Sequence, residues 1–181
     1  FYGHGEARIW RAASGGDELR ASGGARFSRF EAFAPDVPGI DATATGPADV
    51  HYSYQGLVGS AGVQLLRPNA YNLYLSFLQG FRAPNLQETT VIGDTGSKFE
   101  VANPDLGPER SNTWEAGGRL LFSPVQVEVA GFRAEIYDAI DEAEVEYQPA
   151  DGGQVINAVQ RVNTAEALYY GVESALAAEW R

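Results

Sequence analysis

The 181-residue chain contains neither cysteine nor methionine. Without thiols it can form no disulfide, and it offers neither thiolate metal ligation nor a cysteine nucleophile. Only two histidines occur, His4 and His51, too far apart in sequence to suggest a histidine-based zinc site. Positive charge is scarce as well: 13 Lys and Arg stand against 24 Asp and Glu, for a formal net charge of -11. A general nucleic-acid binder needs a basic face against phosphate, so nucleic acid is not an expected partner. No apolar run approaches the roughly 20 residues of a spanning helix. That leaves a transmembrane β-barrel open, because strands that face lipid with alternate residues give a weak hydropathy signal. The opening FYGHGEARIW has neither the basic region nor the apolar core of a signal peptide. A nucleotide-binding glycine loop and a Gly-x-Ser-x-Gly elbow are also missing. Enzymatic readings therefore rank last, and no cofactor is implied.

What the chain does have is glycine and aromatics: 21 Gly, nine Tyr, nine Phe and three Trp. That mixture suits strands and turns. Period-two patterning runs through it. Tyr71, Leu73, Leu75 and Phe77 form one apolar face; Trp114, Ala116, Gly118, Leu120 and Phe122 form another. Tyr170, Val172, Ser174, Leu176, Ala178 and Trp180 repeat the pattern at the end. The alternation predicts about seven strands: Phe1 to Ala13, Glu18 to Ala34, His51 to Leu66, Tyr71 to Glu88, Ser111 to Phe122, Val125 to Tyr147 and Ile156 to Arg181. In Val125 to Tyr147 the apolar phase switches after Val129, which predicts a bulge near Gly131.

Short turns at Ser14 to Asp17, Arg67 to Ala70 and Ser123-Pro124 alternate with long connections at Pro35 to Val50, Thr89 to Arg110 and about Gln148 to Val155. An all-β antiparallel meander with tight turns at one end and long loops at the other is the pattern of an outer-membrane barrel. A self-contained small barrel or a soluble β-sandwich, acting as a binding or adhesion module, is the alternative.

Three phrases carry a resemblance: LYLSFLQGFRAPNLQE, NPDLGPERSNTWEAGGRL and RVNTAEALYYGVESAL. In order and spacing they resemble the C-terminal barrel portion of the TonB-dependent outer-membrane receptors. That family implies a 22-stranded barrel in the outer membrane of a Gram-negative bacterium, closed by a plug domain. It implies uptake of a scarce, bulky small-molecule nutrient, of iron-siderophore, cobalamin or glycan type, bound at the extracellular mouth. Short turns would be periplasmic and long loops extracellular. Partners would be outer-membrane lipid, the remainder of the receptor including the plug, and the TonB complex, reached indirectly through the plug. Residues 1–181 would form a partial receptor barrel, since no plug, TonB-box-like leader or barrel-closing strand is recognisable.

On the motif residues, Pro84 is expected to interrupt a ladder where a strand leaves the sheet, and Pro104 and Pro108 to stiffen the approach to the next. Arg82 suits bidentate pairing with Glu88, Glu109 or Glu115. Gly80, Gly117 and Gly171, with Glu115 and Glu173, complete the structural motif set; Glu173 is expected to face the lumen. Arg82, Asn85, Gln87, Asn103 and Asp105 are the candidate ligand contacts. The loop holding Asp94, Lys98, Glu100, Asn103 and Asp105 departs from the calcium-binding EF-hand spacing and is expected to be a solvated loop. Glu142, Glu144 and Glu146 share one strand face and read as a lumen or rim stripe rather than an acid/base pair.

Overall fold

The computed structural model describes residues 1–13, 16–37, 47–149 and 152–179. Seven long strands dominate: β1 (Tyr2–Arg11), β2 (Glu18–Val37), β3 (Ala48–Arg67), β4 (Tyr71–Arg82), β7 (Glu109–Phe122), β8 (Val125–Tyr147) and β9 (Ile156–Ala178). Between β4 and β7 stand a helical turn α1 (Leu86–Thr90) and two short strands, β5 (Gly93–Asp94) and β6 (Phe99–Val101). All nine strands join one sheet in the order β1-β2-β3-β4-β7-β8-β9-β6-β5. The long strands pair antiparallel with their sequence neighbours. A single open sheet, rather than two packed ones, removes the β-sandwich reading.

The register aligns the alternating faces. Going away from the short turns, one face shows Phe122 beside Val125, then the row Tyr71, Leu120, Val127 and Leu176. Next come Leu73, Gly118, Val129 and Ser174; then Leu75, Ala116, Gly131 and Val172; then Phe77, Trp114, Arg133 and Tyr170. The row above turns mostly polar, with Gln79, Asn112 and Glu135 beside Leu168. The five apolar rows cover roughly 27 Å along a strand. Tilted as barrel strands are, that is about 20 Å of membrane normal, near the height of a barrel's outward apolar band. Leu73, Leu75, Trp114, Val129 and Val172 are exposed on this face, so the apolar surface has no protein partner here. The opposite face carries Arg20, Gln64, Tyr74, Gly117, Ala130 and Glu173 in register, with Ser22, Gly62, Ser76 and Glu115 in the next row.

Short turns tie to one another at one end. Arg67 donates from Nε and Nη2 to the two carboxylate oxygens of Asp17, both at 2.7 Å, and Tyr71 Oη donates to the same carboxylate at 2.5 Å. Asn69 turns the β3–β4 corner at φ 59, a conformation asparagine tolerates. Ser14 and Gly15 of the first turn lie outside the described residues, as do 38–46, 150–151, Trp180 and Arg181.

The structure corrects four expectations. β4 stops at Arg82 rather than Glu88, because Pro84 has no N–H to donate and α1 begins at Leu86. β8 runs through Gly131 without a bulge; the irregularity falls between Ile136 and Ile140, where Asp138 takes φ 54. The apolar phase therefore changes face by sequence alone: Phe132 points to the polar face, where its ring covers Gly171. β2 and β3 extend further than expected, to Val37 and from Ala48, with a register shift between Ala34 and Val37. Finally, the connection after β4 is not a free solvated loop. It holds α1, β5 and β6, and it covers the molecule's core.

That core lies at the long-loop end. Val37, Val50 and Tyr52 cluster together, with Leu86 of α1 packed on them. Among the described residues Leu106, at 2% exposure, and Thr89, at 1%, are the most deeply buried side chains. Fully burying a leucine stabilises by roughly 1.5–3 kcal/mol.

Candidate functional site at the barrel mouth

The segment from Pro84 to Pro108 bridges the sheet from β3 to β9 at the long-loop end. Each half of the sequence motif supplies one anchor. In the first half, Asn85 caps α1: its Oδ1 accepts from Glu88 N at 2.9 Å, and Glu88 Oε2 accepts from Asn85 N at 2.9 Å. This reciprocal capping box satisfies two helix-end donors of a turn too short to be stable alone. Glu88 also receives Arg82 Nη1 at 3.0 Å, and Arg82 Nε donates to Glu109 Oε2 at 2.5 Å. Arg82 and Glu109 are direct cross-strand partners, so the pair closes the top of the β4–β7 ladder. Glu109 Oε1 accepts from Ile140 N at 2.8 Å, which links the bulge in β8 to the same carboxylate. The Arg82 guanidinium holds the Glu109 carboxyl below its ordinary range against the opposing effect of burial, and Glu109 and Glu88 reinforce the charge on Arg82. Glu115, the third candidate partner, instead accepts Tyr74 Oη at 2.5 Å.

In the second half, Asn103 donates to Arg161 O at 2.6 Å and accepts from Asp105 N at 3.0 Å, turning the chain so that Leu106 points inward. Tyr54 Oη donates to Leu106 O at 3.0 Å from the β3 side. Asn163 then clamps Gly107 from β9: its Oδ1 accepts from Gly107 N at 2.6 Å, and its Nδ2 donates to Gly107 O at 2.9 Å and to Asp138 O at 2.8 Å. Beside the clamp β6 pairs in parallel with β9, Glu100 opposite Val159 and Val101 opposite Gln160. Arg161 donates to Glu100 Oε1 at 2.9 Å and meets Glu142 at 3.0 Å; Glu142 also pairs with Lys98. Lys98 foremost, with Arg161, lowers the pKa of the Glu142 carboxyl, and Glu100 foremost raises that of Arg161.

Of the five candidate ligand residues, Arg82, Asn85 and Asn103 have their polar atoms engaged in this scaffold. The side chains of Gln87 and Asp105 are exposed. The structural motif set finds local reasons. A Cβ on Gly80 would collide with Ser111 Oγ, one on Gly117 would meet Tyr74 at 2.7 Å, and one on Gly171 would meet Phe132 at 3.0 Å. Pro84 is buried, Pro104 exposed and Pro108 half-buried. Glu173 sits on the polar face opposite Ala130. Among the described residues no group of three or more His, Cys, Asp or Glu is placed to hold a metal ion.

Sequence reasoning missed α1 and the residues that hold the loop down. The helix had a signal: Asn85-x-x-Glu88 directly after a proline is a capping-box spacing. Tyr52, Tyr54 and Asn163 had none, since their partners lie 37 to 56 residues away.

A single open sheet with one apolar and one polar face, tight turns at one end and a folded cap at the other, defines an arc of a transmembrane β-barrel. The chain matches the family model of the TonB dependent receptor-like β-barrel over residues 2–181, and it belongs to that family. It is 24% identical over 130 residues to the haemoglobin-haptoglobin utilization protein B of Neisseria meningitidis serogroup C, which covers 70% of this chain and 16% of that protein. In fold it is similar to the copper transporter OprC, with a TM-score of 0.66 at 20% identity, over 99% of this chain and 26% of the other. It is also similar to the Serratia marcescens hemophore receptor HasR, solved with its hemophore HasA and haem, with a TM-score of 0.60 at 22% identity over 88% and 28%. The siderophore receptor PirA of Acinetobacter baumannii gives a TM-score of 0.54 at 16% identity over 99% and 34%. These relatives are transport receptors rather than enzymes. The chain spans between about a sixth and a third of their lengths.

Proposed function

We propose that these residues are one arc of an outer-membrane receptor of a Gram-negative bacterium that imports a scarce, bulky, metal-bearing nutrient such as haem or an iron chelate. The observation that carries the reading is the cap between β4 and β7, folded across the polar side of the sheet at the long-loop end and bonded there by Tyr54, Asn103 and Asn163. A mouth so walled presents fixed polar surface to a ligand while the apolar band below meets lipid. The haem-, siderophore- and copper-handling relatives support the metal-bearing class over cobalamin or glycan. The short turns lie in the periplasm and the cap outside. A plug domain elsewhere in the receptor fills the lumen and couples the barrel to the TonB complex. The exposed Gln87 and Asp105 are the ligand contacts this arc contributes, with Arg82, Asn85 and Asn103 holding them in place.

The test is uptake of labelled haem, ferric siderophore, cobalamin and oligosaccharide by cells with and without the intact receptor, before and after a protonophore. Receptor-dependent, protonophore-sensitive uptake of a metal-bearing ligand is expected; no receptor-dependent uptake from the panel overturns the reading. Orientation is checked by protease added to intact cells: cleavage at Lys98 with Arg67 spared is expected, and the reverse pattern inverts the receptor.

A further inference from the structure

The outward apolar face is not uniform. Between β4 and β9 it sinks into a trough of about 540 Å³. Ala116 and Gly131, adjacent across the β7–β8 ladder, form its floor. Leu75 and Val172 are the walls of the same row, while Trp114 and Tyr170 flank the row above. Between those two aromatics, in the last apolar row before the face turns polar, stands Arg133. Its side chain is 61% exposed. Among the described residues one of its five donors is used, Nη2 to Glu135 Oε1 at 2.5 Å, and Glu135 also receives Tyr137 Oη at 2.9 Å.

An arginine on the lipid face of a barrel is costly at the midplane and tolerated at the interface, where its charge meets headgroups. Here the charge sits at the head of an apolar trough, at headgroup level, between two rings of the kind that anchor interfaces. A planar guanidinium with free donors is suited to bidentate pairing with a phosphate. We infer that this trough is a binding site for one anionic membrane lipid of the leaflet on the long-loop side, its phosphate on Arg133 and an acyl chain over Ala116 and Gly131. β2 supplies an internal contrast. Its outward face also carries an Arg-x-Glu pair, Arg29 and Glu31. There the row beneath is filled by Phe27 and Leu57, so no trough leads to the arginine.

The inference rests on the apolar face meeting lipid, and it is independent of the transported ligand. It is tested by native mass spectrometry of the intact detergent-purified receptor mixed with phosphatidylglycerol or with phosphatidylcholine of the same chains. The wild type should retain one phosphatidylglycerol in preference to phosphatidylcholine. Arg133→Gln should cut that preference about fivefold, the contribution of one basic residue at a membrane surface. Gly131→Leu should lower retention of both lipids by filling the trough; a Cβ there meets only Gly171 O and Val172 Cγ2, both at 3.8 Å, so the strand accommodates it. Arg29→Gln should leave retention unchanged. Glu135→Gln should strengthen phosphatidylglycerol binding by freeing the guanidinium. Inorganic phosphate in excess should fail to displace the lipid. Equal retention by the wild type and Arg133→Gln, or by the wild type and Gly131→Leu, overturns the site. A fall in Arg29→Gln equal to that in Arg133→Gln reduces it to general surface charge and overturns it equally. Uptake of the receptor's nutrient by Arg133→Gln cells is unaffected in either case, which separates this outcome from failure of the transport reading.

Discussion

The membrane band and the cap above it are built from the same strands by opposite means. In the band the side chains of β4, β7, β8 and β9 pair row by row, yet almost nothing is buried: Leu75, Trp114, Val129 and Val172 stay exposed on the sheet. Stability there comes from the hydrogen-bond ladder and from surroundings that supply the apolar contact. At the mouth, Val37, Val50, Tyr52, Val101, Leu106 and Ala158 are buried inside the chain itself. Water surrounds that end, so backbone without a long ladder must be covered by its own side chains or bonded to them. One region leaves its apolar side chains for its surroundings to cover, and the other buries its own.

The largest test of that contrast is Leu106→Ala. A buried Leu truncated to Ala costs about 2–5 kcal/mol. The loss should appear as faster hydrogen exchange confined to residues 83–108 and the start of β9, with β4 and β7 below Leu78 unaltered. Uniform loosening of the whole arc would mean that the two regions are not separate.

Gly117→Leu probes the polar side of the band. Its side chain would have to displace Tyr74, whose ring packs on the glycine and whose hydroxyl bonds Glu115. Overpacking of this kind costs about 1–3 kcal/mol. Thermal unfolding of the receptor in detergent should fall for Gly117→Leu and stay level for Gly131→Leu, which faces outward. Equal losses would contradict the assignment of faces.

Asn163→Ala removes three hydrogen bonds that clamp Gly107 and Asp138. The expected cost is about 1–2 kcal/mol, read as new protease cleavage between Asn103 and Glu109 and none at the short turns.

Arg82→Gln is smaller, about 1 kcal/mol, because the guanidinium is 45% exposed and solvent screens it. Its value lies in the pH dependence. Glu109 has a folded pKa below its ordinary 4.5, so its contribution to the mouth is complete above that value. It is lost as pH falls below 4.5 through the folded pKa. Loop protection in the wild type should therefore decline in that acid window, and Arg82→Gln should show a flatter profile. An unchanged profile would remove the Arg82–Glu109 lock as a source of order.

Much of this arrangement was legible beforehand, and the reason is geometric. Strand alternation has a period of two, and pairing in register preserves it, so Tyr71 to Phe77 and Trp114 to Phe122 could be read as two strips of one face. Seven strand positions and the tight-turn, long-loop asymmetry followed from the same local rule. The bulge in β8 did not. The change of apolar phase near Gly131 looked like an inserted residue, whereas the strand places Phe132 inward over Gly171 and bulges at Asp138. A one-strand pattern cannot tell a bulge from an aromatic ring that fills the space above a glycine on the next strand.

The candidate site divides the same way. Pro84 and Glu109 act through neighbours or an adjoining strand, and their roles as ladder stop and lock were partly visible; Asn103, expected as a ligand contact, instead turns the loop by bonding Arg161 O and Asp105 N. The identity of Arg82's partners was narrowed to three glutamates by charge alone, and distance chose Glu88 and Glu109.

By itself the amino-acid sequence determined the two faces of β4 and β7, because side-chain direction follows parity along an unbroken strand, but not those of β8, where the bulge at Asp138 and the ring of Phe132 over Gly171 reset it. It also determined where the short turns fall, because Gly, Asn and Pro act locally. Only the tertiary structure decided that the segment after β4 folds back over the sheet instead of standing in solvent. That fold depends on Tyr54 meeting Leu106 O and Asn163 meeting Gly107. Contacts across more than 50 residues leave no periodic trace in the chain; they exist only once the strands between them have paired.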